Sequence, residues 1–308
     1  MTDTSQRYGN WGRFGDDDEL GMRNLCTPDA VLAATQVPST GKVYSLALPI
    51  QRHGVPWFDY RGAPTRLPLT HRADPAQFEA FGAPPHLGAN EDVLILASHN
   101  ETHIDALSHV FHENQMYNGF STETVSVAGG ATKLGIDKVR WIVGRAVLLD
   151  LPAFHGSGDW LEGPHVITSD EIERCAAHQG TEIRNGDILL VRTGWIDQFL
   201  SLNVVGPADV VGANPIQPGL GKDAVEFIDA HDIVAVGADN SAIESIPFDD
   251  DEFLGVHVEL LVKRGVYLIE HLMLAEMAAD RCYESLFMVA PLPVIGAAGS
   301  PVNPIAIG

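Results

Sequence analysis

The chain has 308 residues, 45% hydrophobic and 19% charged, a balance that makes a sizeable buried core and excludes a disordered protein. Its formal charge of −22 and pI near 4.7 argue against a nucleic-acid partner and against adhesion to anionic lipid, both of which need a positive surface. No apolar run approaches the roughly eighteen residues of a membrane span, and three scattered cysteines make neither a disulfide framework nor a thiolate metal site, so a cytoplasmic protein is expected.

In chain order, the N-terminus is polar, Gly- and Asp-rich, and reads as an irregular extension over about 1–40, interrupted by one short helix in PDAVLAAT, which Thr27 caps and Pro28 opens. VYSLALPI alternates like a strand. From Gln51 to Ala89 the sequence is rich in Pro, Gly, His and aromatics without periodicity and reads as a long functional loop. Short apolar runs then alternate with helical patterns: strands at 93–98, 145–151, 187–195, 233–239, 265–272 and 285–293. A capping box, Thr168-Ser-Asp-Glu171, opens a helix that ends at Gly180, and LGKDAVEFIDAHD reads as another helix. The pattern predicts an α/β or α+β protein in one unit spanning 1–308, with no linker that would divide it.

The chemistry concentrates in SHNETHIDALSHVFH, where His99, His103, Asp105 and His109 follow one another at separations of four, two and four. A continuous helix would set His99 and His103 opposite Asp105 and His109. A straight strand would spread the four over about 33 Å. A turn after VLILAS that enters a helix near Ala106 would let them converge, as imidazole and carboxylate ligands of zinc or manganese must. On that helix His109 would stand one turn above Asp105, placed to move a proton or to serve as a further ligand. Further ligands have to come from elsewhere: His257 in FLGVHVELL and Glu270 in GVYLIEHL are the candidates, since a carboxylate inside an apolar strand is costly without a cation beside it.

These residues resemble the cyclase family of metal-dependent hydrolases, which includes bacterial kynurenine formamidase and isatin hydrolase. The family signature His-x-Gly-Thr-His-x-Asp-x-Pro-x-His stands here as His99-Asn-Glu-Thr102-His103-Ile-Asp105-Ala-Leu-Ser-His109, with NWGRFGDDDELG, HVFHENQMYNG, LLVRTGW, VGADNSAIES and GAAGSPVNPIAI in matching order. The resemblance implies a mixed β/α/β fold with a central barrel-like sheet flanked by helices. It implies metal ligation by His99, His103 and Asp105, His109 as the catalytic histidine, and His257 and Glu270 as the remaining ligands of a two-zinc site; isatin-hydrolase-like members carry manganese instead. It further implies one or two cations per subunit, a homodimer or homotetramer, and a pocket aromatic at Trp57, with Phe58 beside it. Glu101 replaces the signature glycine and Leu107 the proline. A glycine there permits a positive φ; a glutamate either gives up that freedom or supplies an extra carboxylate near the cation.

The expected reaction is hydrolysis of a cyclic amide, imide, lactam, aryl formamide or lactone by a metal-activated water, with His109 as general acid and base. The small-molecule substrate is expected to be cyclic or aromatic, on the strength of Trp57, Phe58 and Tyr60. The same metal site could also serve a cyclase or lyase, and a non-catalytic metal-binding protein is the third alternative. GWI at 194–196 is no nucleophile elbow, and no phosphate-binding glycine motif follows a strand.

Overall fold

The longest apolar runs settle into the middle of one sheet. A computed structural model of the chain describes residues 9–71, 75–203, 210–211 and 215–308. Its nine-stranded sheet runs in the order Val43–Ser45, Ile305–Ile307, Glu284–Val289, Ile142–Asp150, Ile188–Arg192, Ala235–Ala238, Tyr267–Glu270, His103–Asp105, Gly299–Pro301, and curls into a half-barrel flanked by helices. The four strands from Ile142 to Glu270 are parallel, and the outer pairings are antiparallel. Parallel strands have helices on their faces, so their sequences are nearly continuous in Val, Ile, Leu and Ala rather than alternating. Leu148, Leu190, Val236 and Leu268 are accordingly fully buried.

The expected strands form with shifted bounds: 187–195, 233–239 and 265–272 shorten to Ile188–Arg192, Ala235–Ala238 and Tyr267–Glu270, whereas Glu91–Ile95, Ile142–Asp150 and Glu284–Val289 begin earlier than expected. The capping-box helix spans Ser169–Gln179, with Thr168 accepting the Glu171 N–H at 3.3 Å and Gly180 left-handed at its end. The helix of PDAVLAAT spans Pro28–Ala34, and that of the DAVEF segment spans Ala224–Ala230. Two expectations fail. The stretch read as a long loop holds the strands Trp57–Phe58 and Thr65–Thr70 and a helix at Pro75–Glu79; Thr65–Thr70 pairs antiparallel with Glu91–Ile95 in a separate two-stranded arm. The cause is a short, exposed arm with a proline and a bulge in one strand, so its apolar residues are too few and too irregular to show as a strand period.

From Gly9 onward the N-terminal extension is also more ordered than its composition suggests, and residues 1–8 lie outside the described residues. Asn10 N donates to Lys263 O at 2.9 Å, Trp11 Nε1 to Val262 O at 2.7 Å, Asn10 Nδ2 to Arg264 O at 3.3 Å and Met22 N to Gly265 O at 2.9 Å. These are carbonyls at the end of the helical segment Gly255–Arg264, which lack partners within a helix. The extension is therefore the C-terminal cap of that segment. Gly21 at φ +54° lies so close to Gly265 that a Cβ would collide with its backbone. Among the described residues no helix is long and apolar enough to cross a membrane.

Candidate metal centre

His103 and Asp105 sit on a strand, with His99 and His109 in the irregular segments on either side, and none of the four is on a helix. His103–Asp105 is a buried strand between Tyr267–Glu270 and Gly299–Pro301, followed by a turn in which His109 N donates to Ala106 O at 2.9 Å. The expected helix near Ala106 is absent because both edges of this segment are taken by sheet partners. The strand's period of two puts His103 and Asp105 on one face. Register supplies the rest: Glu270 lies directly opposite His103, and Gly299 opposite Asp105. A Cβ on Gly299 would fall inside the van der Waals radius of His99 Nε2, so the missing side chain is the space that His99 fills. His257 arrives from the short helix Gly255–His257, which continues as a π-helix over Val258–Arg264.

The donor atoms converge. Asp105 Oδ1 lies 3.4 Å from His99 Nε2 and 3.7 Å from His103 Nε2, while Oδ2 lies 3.9 Å from His257 Nε2. Glu270 divides its oxygens likewise, Oε2 at 3.3 Å from His103 Nε2 and Oε1 at 3.3 Å from His257 Nε2. Donors bound to one zinc at about 2.1 Å in a tetrahedron stand about 3.4 Å apart. The His109 ring stacks on His99 with centroids 3.9 Å apart, and donor atoms of His99, Asp105 and His109 lie within 4.8 Å of one another.

Each imidazole is held by its other nitrogen. His103 Nδ1 donates to the Glu101 carbonyl at 2.8 Å, Ser98 Oγ lies 3.0 Å from His99 Nδ1, and His257 Nδ1 donates to Glu244 at 2.5 Å. This leaves Nε2 of all three turned inward, as metal-ligating histidines require. Glu101 O also accepts from His271 Nδ1 at 3.0 Å. Glu101 itself has φ +43°, the left-handed backbone that the signature glycine would take freely. Both its carboxylate oxygens are buried without a hydrogen-bond partner among the described residues, and burial pushes the carboxyl up to about 7.

The electrostatics ask for positive charge. Burial opposes ionisation of Glu270, yet hydrogen bonds from His103 and His257 hold it well below the ordinary range. Burial likewise opposes protonation of His257, but Glu244 and Glu270 raise it to about 10. Burial and the neighbouring charge of Glu270 raise Asp105. Burial drives His99 and His109 down to about 3, so both are neutral at pH 7, the form that binds a metal or accepts a proton.

All six residues expected as ligands or catalyst therefore meet in one place. Trp57 and Phe58 form a neighbouring strand, both half-buried, and the next turn carries Arg61, whose guanidinium lies over the Phe58 ring at 5.0 Å and donates to the His99 carbonyl. Glu244, Arg61 and Gly299 were not anticipated. A carboxylate amid apolar neighbours, the signal that marked Glu270, also marks Glu244 in SAIESIPF.

The family model for cyclases matches residues 44–245, and a crystal structure described as a novel cyclase is 35% identical, covers 98% of this chain and 98% of its own, and superposes with a TM-score of 0.87. The chain belongs to the cyclase family. Isatin hydrolase A from Labrenzia aggregata shares the cyclase fold at 17% identity, over 89% of this chain and 95% of its own, with a TM-score of 0.60. A predicted metal-dependent hydrolase from Bacillus stearothermophilus does so at 24%, over 86% and 97%, with a TM-score of 0.52. No curated protein matches this cyclase-family chain.

Proposed function

We propose that this chain is a metal-dependent hydrolase that opens a cyclic amide, imide, lactam or lactone, or cleaves an aryl formamide. One observation carries the reading. Asp105 Oδ1, Asp105 Oδ2 and His99 Nε2 are buried, face one another and other donors, and have no hydrogen-bond partner among the described residues. Orphaned polar atoms of this kind are expensive unless a cation satisfies them. Three imidazoles and two carboxylates fit zinc or manganese, held by His99, His103, Asp105, His257 and Glu270. Asp105 turns one oxygen toward His99 and His103 and the other toward His257, so it would serve as a ligand on either side, whether one cation or two are held there. When bound, a divalent cation polarises a carbonyl and lowers the pKa of water at the site.

The side chains supply the remaining work. Neutral His109, stacked on His99, accepts the proton of the attacking water and returns it to the leaving nitrogen or oxygen. Arg61, bonded to the His99 carbonyl, ties the aromatic strand to the ligands. Trp57 Nε1 is buried with no hydrogen-bond partner among the described residues, a donor free for a substrate carbonyl, and Phe58 offers its ring beside it. Isatin hydrolases among the structural relatives act, by name, on a ring amide, which supports this substrate class. We also assign the chain to the cytoplasm, where Cys26, Cys175 and Cys282 stay free thiols, and to a homodimer or homotetramer.

The test is metal content by plasma mass spectrometry on wild type, His103→Ala and His109→Ala, with turnover on isatin-like lactams, lactones and formanilides. Wild type should carry zinc or manganese that His103→Ala loses, and His109→Ala should keep the metal while losing at least a hundredfold in kcat. Loss of metal in His109→Ala would make that residue a ligand. A product lighter by one water would show ring closure or dehydration instead. A metal-free wild type that takes up neither ion would end the proposal.

A further inference from the structure

A second set of donors meets on the opposite kind of surface, open to solvent and made from other elements. His155 is the last residue of the helix Leu151–His155, His165 directly precedes the strand Val166–Ile167, and Glu171 lies in the first turn of the helix Ser169–Gln179. As the third residue after the N-cap, Glu171 would be expected to reach back to the Thr168 backbone. Its carboxylate turns instead to two imidazoles. His165 Nε2 lies 2.8 and 3.0 Å from its two oxygens, and His155 Nε2 contacts Oε1 as well. The two rings stand edge to face, centroids 5.2 Å apart, so both Nε2 atoms aim at the same oxygen. All three donor atoms fall within 4.8 Å of one another.

We propose that His155, His165 and Glu171 form a Zn2+ site separate from the metal centre. Two imidazole nitrogens and one carboxylate oxygen, with a side open to water, are the donor set of a three-residue zinc site that keeps a solvent ligand. The exposures match that division: the histidine side chains are 35% and 33% exposed, and that of Glu171 only 11%. Two imidazoles directed at one oxygen need two protons crowded between them, and one dication replaces both. The site closes the loop 156–164, which is fastened at its far side by Leu161 N to Thr193 O at 2.9 Å and by Arg192 Nη2 to Asp159 O at 2.8 Å. Zinc there works as a clip between two helices and the loop that joins them, and takes no part in turnover.

Equilibrium dialysis against buffered, micromolar free Zn2+ tests this on wild type, the double variant His155→Gln/His165→Gln, and His103→Ala. Wild type should bind one equivalent more than the double variant, and His103→Ala should retain that equivalent even if the metal centre is lost. Equal zinc in wild type and double variant, or uptake of that equivalent only at millimolar Zn2+, overturns the site. Should the double variant fail to fold, diethyl pyrocarbonate labelling of wild type decides the matter. Zn2+ should cut modification of His155 and His165 at least tenfold, and equal labelling with and without Zn2+ rejects the proposal.

Discussion

Glu244, which the sequence offered only as one letter of VGADNSAIES with no role attached, holds one of the candidate ligands in place. Its carboxylate holds His257 Nδ1 at 2.5 Å and accepts the backbone N–H groups of Val256 and His257 at 3.2 Å, so it fixes both the ring and the start of the segment that carries it. Partners that orient a ligating histidine typically govern metal affinity by ten- to a hundredfold. Glu244→Gln should therefore weaken metal binding by about that factor while the chain still folds, as read by chelator competition and circular dichroism. Unchanged affinity would reduce Glu244 to a helix-start residue. His99, His103, Asp105 and His109 were legible because four metal-type side chains within eleven residues are hard to explain otherwise. Gly299 was not, because its role appears only when register sets it opposite Asp105. Glu101 falls between the two. The signature implied a glycine and hence a positive φ; the backbone keeps that φ with a glutamate, at roughly 1–2 kcal/mol.

Among the elements, those buried on both faces announced themselves. The parallel strands read as apolar runs, and the helix at Ser169–Gln179 showed its cap and its terminal glycine in sequence. The strand His103–Asp105 was hidden, since three residues between two turns carry no period, and its strand character comes wholly from the neighbours at 267–270 and 299–301. The ordering of the extension was hidden for the same reason. Beyond its cap bonds, it is held by Arg13, which donates Nη2 to Asp232 Oδ2 at 2.9 Å and forms a second bond through Nη1. That hydrogen bond is the main reason the Asp232 carboxyl sits below its ordinary 3.8. A depressed native pKa means that the stabilisation is present above pH 3.8 and is lost as pH falls through the native value. Both side chains are partly exposed, so the pair contributes at most about 1 kcal/mol. Arg13→Gln should lower Tm by about 2 °C at pH 7, with the difference from wild type vanishing in acid below the native pKa. A difference that persists unchanged at pH 3 would assign the effect to packing.

At the scale of the molecule, the two-stranded arm of Thr65–Thr70 and Glu91–Ile95 lacks a counterpart. Leu67 and Ile95 share one of its faces by register and are 50% and 58% exposed, and Leu69, at the bulge, is 60% exposed. An isolated pair of strands with an exposed apolar face is marginal in water, which is the observation that supports the proposed homodimer or homotetramer. Light scattering should give twice or four times 33.2 kDa, and Leu67→Arg/Ile95→Arg should shift the mass to the single chain; a wild-type monomer would contradict the assignment. None of this shows in composition, because a charge of −22 describes the whole surface and not one arm. The N-terminal cap has a consequence of a different order, in time. Trp11 and the carbonyl it meets at Val262 are 251 residues apart, so the ribosome releases the capping segment long before it makes what is to be capped. Strands 142–150 and 188–192 can pair as soon as both have been made, but the capping segment has no partner until residues 255–265 follow it. Assembly of the candidate ligand set therefore waits on a contact between segments made far apart in time.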